Sequence, residues 1–367
     1  MVKTIKNKKH AKKNYSKKNY SKKIKRTALI NPAQYLDDVK FLIKQSDYHI
    51  QVGDISLIDT CNIETNMSGK SGAYILKCPK NKSKYIHKKW FPKKFTWEID
   101  KDKKCIICSP MIIEYIANAV IKSWADKNNN RSLIAYAEGM RLSISQEMIQ
   151  SDLIMEKAFF TFKKQNFVDL FELFKFFVSK ERSDNEFKKF DNMLASALKN
   201  YIKVYKELLN KYNFIHTDCK MQNIFIGGKE DKLILKISDL DKCCITIGNT
   251  TLVPAASLAE SLIGASRYHR SCDFNRKHGM IIDLKFLLAD IYLVSKFYLK
   301  THNNVISKLV KSLNVLTQYI YGKDSIYLLT PGLLSNLPIQ YLGAPPYLYS
   351  GQLQLFVVSV LNKIPVK

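Results

Sequence analysis

Apolar positions along this chain follow two periods. Up to about residue 148 they come in short runs broken by turn residues: Ile55–Ile58, Ala73–Cys78 and Tyr85–Phe91, the last behind the turn-rich Pro79–Lys84. Runs of this length and alternation predict strands. The period lengthens after Ser109 and Pro110, which suit the N-cap and first position of a helix. Ile113, Ile116, Ala117, Val120, Ile121 and Trp124 then fall at helical spacing, predicting one amphipathic helix. Leu133–Tyr136 and Leu142–Met148 predict two further strands. Beyond 150 the texture is helical, with a long stripe through Phe190, Leu194, Leu198, Tyr201, Tyr205, Leu208 and Tyr212. A polar loop at 214–223 follows, then a hairpin of Ile224–Ile226 and Leu233–Ile237 turning through Gly227-Gly228, and helices resume near 281. The layout predicts an α+β protein of two lobes sharing a cleft. A small β-rich lobe with one helix spans 31–148, a larger helical lobe spans 149–367, and a tail covers 1–30.

Composition narrows the class. Of 367 residues, 46% are hydrophobic and 25% charged, which excludes disordered, collagenous and disulfide-scaffold chains. Eight scattered cysteines do not make a secreted framework and read as thiols in a reducing compartment. Cys105 and Cys108 have metal-ligand spacing, but a zinc site needs a second such pair, which Cys243-Cys244 does not supply; buried thiols are expected. No apolar run reaches the roughly 18–20 residues of a membrane span, and no apolar stretch follows the lysine-rich start. An intracellular, unsecreted protein without a transmembrane segment is expected, whether cytoplasmic, nuclear or virion-associated. The net charge is +27, and residues 1–26 carry twelve Lys and Arg with no acid. Lys-Lys-Asn-Tyr-Ser occurs there twice, at 12–16 and 17–21, so a disordered tail is predicted that contacts nucleic acid or another polyanion. Lysine far outnumbers the seven arginines, as in chains from AT-rich genomes.

The sharpest chemical signal is Phe214-Ile-His-Thr-Asp-Cys-Lys-Met-Gln-Asn-Ile-Phe225, followed by Ile237-Ser-Asp-Leu-Asp241. Phosphoryl transfer needs a carboxylate to orient the attacking hydroxyl and hard oxygen ligands to hold metal against phosphates. Asp218 suits the first role, and Asn223 and Asp239 the second. One residue ends the loop and the other follows the hairpin, so the backbone brings both oxygens together.

With these residues the chain resembles the protein kinase superfamily. His216-Thr-Asp218-x-Lys220-x-x-Asn223 is similar to the catalytic loop H-R-D-x-K-x-x-N, and Asp239-Leu-Asp241 stands where D-F-G is usual. The resemblance implies a two-lobed fold and a serine/threonine protein kinase that transfers the ATP γ-phosphate with Mg²⁺ to a protein substrate. It implies Asp218 as catalytic base, Lys220 as the cation on the transferred group, and Asn223 and Asp239 as metal ligands. Met67-Ser-Gly-Lys-Ser-Gly-Ala-Tyr74 resembles the glycine-rich loop over the phosphates, with Gly69 and Gly72 matching and Met67 in place of the first glycine. A Walker-A loop is excluded, because glycine would be needed where Glu64 stands. In Tyr85-Ile-His-Lys-Lys-Trp90 two lysines compete for the phosphates. Lys88 shares its strand face with Ile86 and Trp90, Lys89 with Tyr85, His87 and Phe91, and the apolar neighbours favour Lys88. Glu114 is the implied ion-pair partner. Gln146-Glu147-Met148-Ile149 resembles the adenine-binding hinge, and Asp283 the buried aspartate that braces the catalytic loop.

Departures from the family are specific. Thr217 replaces the arginine of H-R-D, so activity without activation-loop phosphorylation is expected. Asp241 replaces a glycine, and no A-P-E segment is found between 242 and 280. Such departures in a lysine-rich chain resemble those of large DNA virus kinases. Two rivals stand beside this reading: a small-molecule phosphotransferase of the aminoglycoside or choline kinase type, against which Lys220 argues, and a pseudokinase scaffold with a polyanion-binding tail.

Overall fold

Strand pairing organises the first half of the chain around one seven-stranded sheet. The computed structural model describes residues 22–26 and 31–255, except 46–47, 68–71, 78–83, 95, 146–147, 158 and 179–182, together with Asp283 and Leu287. In chain order it begins with β1 (Lys22–Arg26), α1 (Pro32–Lys44), β2 (Tyr48–Gly53) and a single helical turn, α2 (Leu57–Thr60). β3 (Asn62–Met67), β4 (Gly72–Lys77), β5 (Lys84–Lys94), β6 (Trp97–Asp100) and β7 (Cys105–Cys108) lead into α3 (Pro110–Lys127). β8 (Ala137–Ser145) and β9 (Met148–Glu156) complete the large sheet, whose order is β1-β2-β8-β9-β5-β4-β3. All of its pairings are antiparallel except β1 with β2.

Helix α3 is the spine of this half. Every residue from Met111 to Ala125 is buried, so the helix is covered all round rather than along one stripe. It packs on β8 and β9, on α1 through a face that buries Tyr35, Leu36, Val39 and Leu42, and on β15 (Thr250–Pro254). Ser109 does sit at the N-cap, but its Oγ accepts the Thr96 N–H at 2.7 Å instead of capping α3.

The second half starts with β10 (Phe160–Phe162), β11 (Gln165–Phe167), α4 (Leu170–Val178) and α5 (Asp184–Tyr212). α5 opens on a reciprocal capping box of Ser183 and Glu186 and ends at Asn213, whose φ of 46° stops the helix. The predicted apolar stripe is its buried face, and Phe190 stacks on Phe177 of α4 at 3.8 Å and 15°. β12 (Ile224–Lys229) and β13 (Lys232–Ile237) join β10 and β11 in a four-stranded sheet of order β11-β10-β12-β13. A third sheet, β14-β15-β7-β6, pairs β14 (Ile245–Ile247) and β15 with the strand that precedes α3.

Several expectations are corrected. Residues 22–26 of the expected disordered tail form edge strand β1, because the backbone of β2 offers them a ladder; residues 1–21 and 27–30 lie outside the described residues. The boundary at 148 cuts the β8–β9 hairpin, and the chain leaves the large sheet only after Glu156. Ile55–Ile58 is not a strand, because Asp54 Oδ1 accepts the Ser56 N–H at 2.8 Å and starts the α2 turn. Leu133–Tyr136 runs as a 3₁₀ turn and an extended approach to β8. The 224–237 hairpin turns at Glu230-Asp231 and not at the glycines. Gly228 is needed for another reason: its φ is +103°, and a Cβ there would lie 1.9 Å from Lys232 O. Cys61 and Cys105 are disulfide-bonded, against the reading of Cys105 as a buried thiol, while Cys108, Cys219 and Cys243 are buried and in no disulfide. Sequence spacing is blind to such pairing because bridging depends on Cα separation in space. Among the described residues no helix is long and apolar enough to cross a membrane. Of the 242–280 stretch, in which the sequence shows no A-P-E segment, only 242–255 is described; the helices expected from 281 lie outside the described residues apart from Asp283 and Leu287.

The α4–α5 contact gives the first prediction. Phe177→Ala removes a ring that is 1% exposed and stacked on Phe190, and is expected to destabilise the protein by about 3–5 kcal/mol, read from urea unfolding.

Candidate active site

Three distant segments meet at Lys88. It lies on β5 between Ala73 of β4 and Leu153 of β9, on the same side as buried Ile86. Its Nζ donates to Glu114 Oε1 and to Asp239 Oδ1, both at 2.7 Å, and lies 3.9 Å from Asp241 Oδ2. Of the two lysines, Lys88 is the one that meets Glu114 and Asp239, on the strand face it shares with Ile86 and Trp90. Trp90, on the same strand face, donates its indole N–H to Glu114 Oε2 at 2.5 Å. Both oxygens of Glu114, in the second turn of α3, are thus held by β5. Burial works against the Lys88 ammonium, but Asp239, Glu114 and Asp241 outweigh it and raise its pKa well above the ordinary lysine value.

The loop between α5 and β12 forms the other wall. Asn223 Nδ2 donates to Asp218 Oδ2 and to Asp218 O, each at 2.9 Å. Lys220 Nζ reaches Asp218 Oδ2 at 3.3 Å, and Lys242 Nζ reaches the same oxygen at 2.9 Å. Burial disfavours the Asp218 carboxylate, but Lys220 and Lys242 dominate and hold its pKa well below the usual range. Asp218 is therefore ionised at neutral pH. The β12–β13 pairing sets Ile224 opposite Ile237, so the loop's end and the Asp239 segment are neighbours. Ser238 fastens them: its Oγ donates to Asn223 O at 2.5 Å and accepts the Phe225 N–H at 3.1 Å, and its carbonyl accepts from His216 Nε2 at 2.7 Å.

Two residues of the site carry backbone conformations that a side chain disfavours. Thr217 has φ 63° and Asp239 φ 57°, a region costly for a β-branched residue. Thr217 is held there by its N–H on Asp283 Oδ2 at 3.0 Å and by its hydroxyl on Lys242 O. Asp283 Oδ2 also accepts the His216 N–H at 2.9 Å and the Tyr205 hydroxyl. A buried carboxylate thus anchors the loop backbone to α5, as the sequence reading expects for this position.

Of the anticipated residues, Lys88, Glu114, Asp218, Lys220, Asn223 and Asp239 gather in one region. Met148 does not. It opens β9 opposite Lys94, five residues before Leu153, the partner of Lys88, which is about 17 Å at strand rise. The hinge reading of 146–149 is corrected on this ground, because β8 and β9 form a hairpin where a chain crossing was expected. Glu147 and Gly69 lie outside the described residues; Gly72 opens β4 opposite Lys89. The reading missed Trp90 as a hydrogen-bond donor, although its strand face was legible, and Lys242, for which no local pattern gives a signal. Compared with known proteins, the chain matches no family model and no curated protein.

Asp241 supplies a pH-dependent prediction. Burial first, and then the neighbouring Asp239, push its carboxyl up to about 7. The folded protein therefore keeps a proton that the unfolded chain releases above about pH 4, so this group lowers stability as pH rises from about 4 to 7. Asp241→Asn removes that dependence. Its stability relative to wild type is expected to rise by about 1–4 kcal/mol between pH 5 and 8, measured by urea unfolding at both values.

Proposed function

We propose that this protein is a two-lobed, kinase-like phosphotransferase that moves the γ-phosphate of ATP to serine or threonine hydroxyls of a protein substrate. The observation that carries the reading is the convergence of Lys88, Glu114 and Asp239 on one point beside the Asp218–Asn223 loop. Stability does not account for it, since a buried ion pair is often worth no more than an apolar replacement of the same volume. An ammonium and several carboxylates of strongly shifted pKa in one region are instead the mark of a site that handles charge.

In this reading Lys88 holds the α- and β-phosphates, and Glu114 with Trp90 keeps its ammonium aimed. Asp218 accepts a hydrogen bond from the acceptor hydroxyl and orients it. A carboxylate of such low pKa is a weak base, which suits a loose transfer in which positioning outweighs proton removal. Lys220 faces the transferred group. Asn223 Oδ1 and the Asp239 carboxylate fit Mg²⁺, as does Asp241 Oδ1, which is buried with no hydrogen-bond partner. Among the described residues no three His, Cys, Asp or Glu side chains form a metal cage; Mg²⁺ needs none, taking one or two carboxylates together with phosphate oxygens. When bound, it neutralises phosphate charge. Thr217, where the family has arginine, bonds the Lys242 carbonyl and leaves no guanidinium for a phosphorylated segment, in line with activity independent of such phosphorylation. The basic residues 1–26 are proposed to contact a polyanion, nucleic acid among them.

The test is transfer of labelled γ-phosphate from Mg-ATP to protein, peptide and small-molecule acceptors. Wild type is expected to label protein serine or threonine, and Asp218→Asn to lower the rate about 10²–10⁴-fold while unfolding at a similar urea concentration. Label on small molecules alone would replace the protein-kinase reading with the small-molecule one, and ATP binding without transfer would make the protein a scaffold.

A further inference from the structure

We infer that the face of the seven-stranded sheet turned away from Lys88 binds single-stranded nucleic acid, with Lys25, Arg141, Lys89 and Lys94 meeting phosphates and Phe91 stacking a base. The inference does not rest on the kinase reading; it gives a folded surface to the polyanion contact proposed for residues 1–26. Residues paired across neighbouring strands point to the same side of a sheet. Register places Lys25 of β1, Gln51 of β2, Arg141 of β8, Asp152 of β9 and Lys89 of β5 in one row, on the side opposite Lys88. With strands about 4.8 Å apart, the three cations of this row recur about every 10 Å. Phe91 and Lys94 follow on the same side of β5, since Lys94 pairs with Met148, which alternates in step with Gln150 and Asp152. Lys25, Phe91 and Lys94 are exposed, Phe91 by 48%, and the Arg141 side chain is 35% exposed.

From this row to the β8–β9 turn, the described residues of the sheet carry one acid, Asp152; Glu147, in that turn, lies outside them. Asp152 is engaged on both oxygens, Oδ1 with His87 Nε2 at 2.9 Å and Oδ2 accepting from two Arg141 nitrogens at 2.9 and 2.5 Å. Lys89 Nζ lies 5.8 Å from the centre of the Phe91 ring and Lys93 Nζ 5.6 Å from that of Trp90, so cations and rings alternate along the end of β5. β1 enters the sheet at this same end: Lys22 pairs with Tyr48, and the next residue, His49, pairs with Ser143 near the β8–β9 turn. Residues 1–21 are joined to the sheet there, and with β1 they hold twelve Lys and Arg and no acid. Cations spread along a line suit a polymer charged at intervals better than one compact anion. An exposed ring beside a lysine suits a base, because every base has a π-face and a single strand leaves it open to stack. Duplex DNA and an anionic bilayer offer charge without an open base.

The experiment uses the full chain and labelled oligothymidylate, with a duplex of the same length, inorganic polyphosphate and phosphatidylserine vesicles as comparisons. Wild type is expected to bind the single strand about tenfold more tightly than the duplex. Phe91→Ala should lower affinity for oligothymidylate about five- to a hundredfold and leave polyphosphate binding unchanged. Lys89→Gln and Lys94→Gln should each lower the slope of log affinity against log salt by about 0.7. Ultraviolet cross-linking of wild type should mark the 89–94 segment as well as the tail. Affinity and slope unchanged in all three variants would overturn the surface, as would duplex or vesicle binding as tight as that of the single strand. So would equal weakening of polyphosphate and oligothymidylate by Phe91→Ala, or cross-links confined to residues 1–21. If Phe91→Ala fails to fold, Phe91→Leu, which keeps apolar bulk without a ring, and the wild-type cross-links still decide. Cross-links in the tail alone would leave the contact of residues 1–26 standing, whereas failure to bind any polyanion would reject both.

Discussion

One buried ammonium ties this protein together. Lys88 sits on the central part of a sheet, yet its Nζ is neutralised by a helix residue 26 positions later and an aspartate 151 positions later. A lone charge so deeply buried would be lost to desolvation; here three carboxylates more than compensate. The arrangement demands that β5, α3 and the end of β13 keep their relative positions, since loss of any one leaves buried charge unpaired. Trp90 adds to the constraint by taking the second oxygen of Glu114. α3 itself is held in place by its packing on α1, β8, β9 and β15.

A second constraint operates on the loop wall. Thr217 and Asp239 adopt left-handed backbone that their side chains disfavour, and the strain persists because fixed partners over-determine it. Asp283 collects two loop N–H groups and a tyrosine hydroxyl, while Ser238 joins the loop to the strand after it. Their effect is to hold Asp218, Asn223 and Asp239 on fixed backbone.

The β7–β15 pairing links the two walls. β7, the strand entering α3, hydrogen-bonds to β15, which is joined through β14 to the Asp239-Leu-Asp241 segment.

What the sequence determined by itself was local. Period-2 runs placed β4 and β5, a Ser-Pro start with helical spacing placed α3, and the apolar stripe placed α5. The spacing of Asp218, Lys220, Asn223 and Asp239 was legible because a short loop and one hairpin carry all four. Strand alternation separated Lys88 from Lys89 for the same reason. Tertiary structure alone decided the rest. Whether 145–148 is a hairpin or a crossing depends on which strand β9 finds as a partner, and a basic segment becomes β1 only because β2 has an edge to offer. Cys61 and Cys105 enter disulfides, and Lys242 reaches Asp218 across 24 residues of chain. Local pattern encodes backbone period and side-chain face, whereas these outcomes depend on which surfaces meet after the chain has folded.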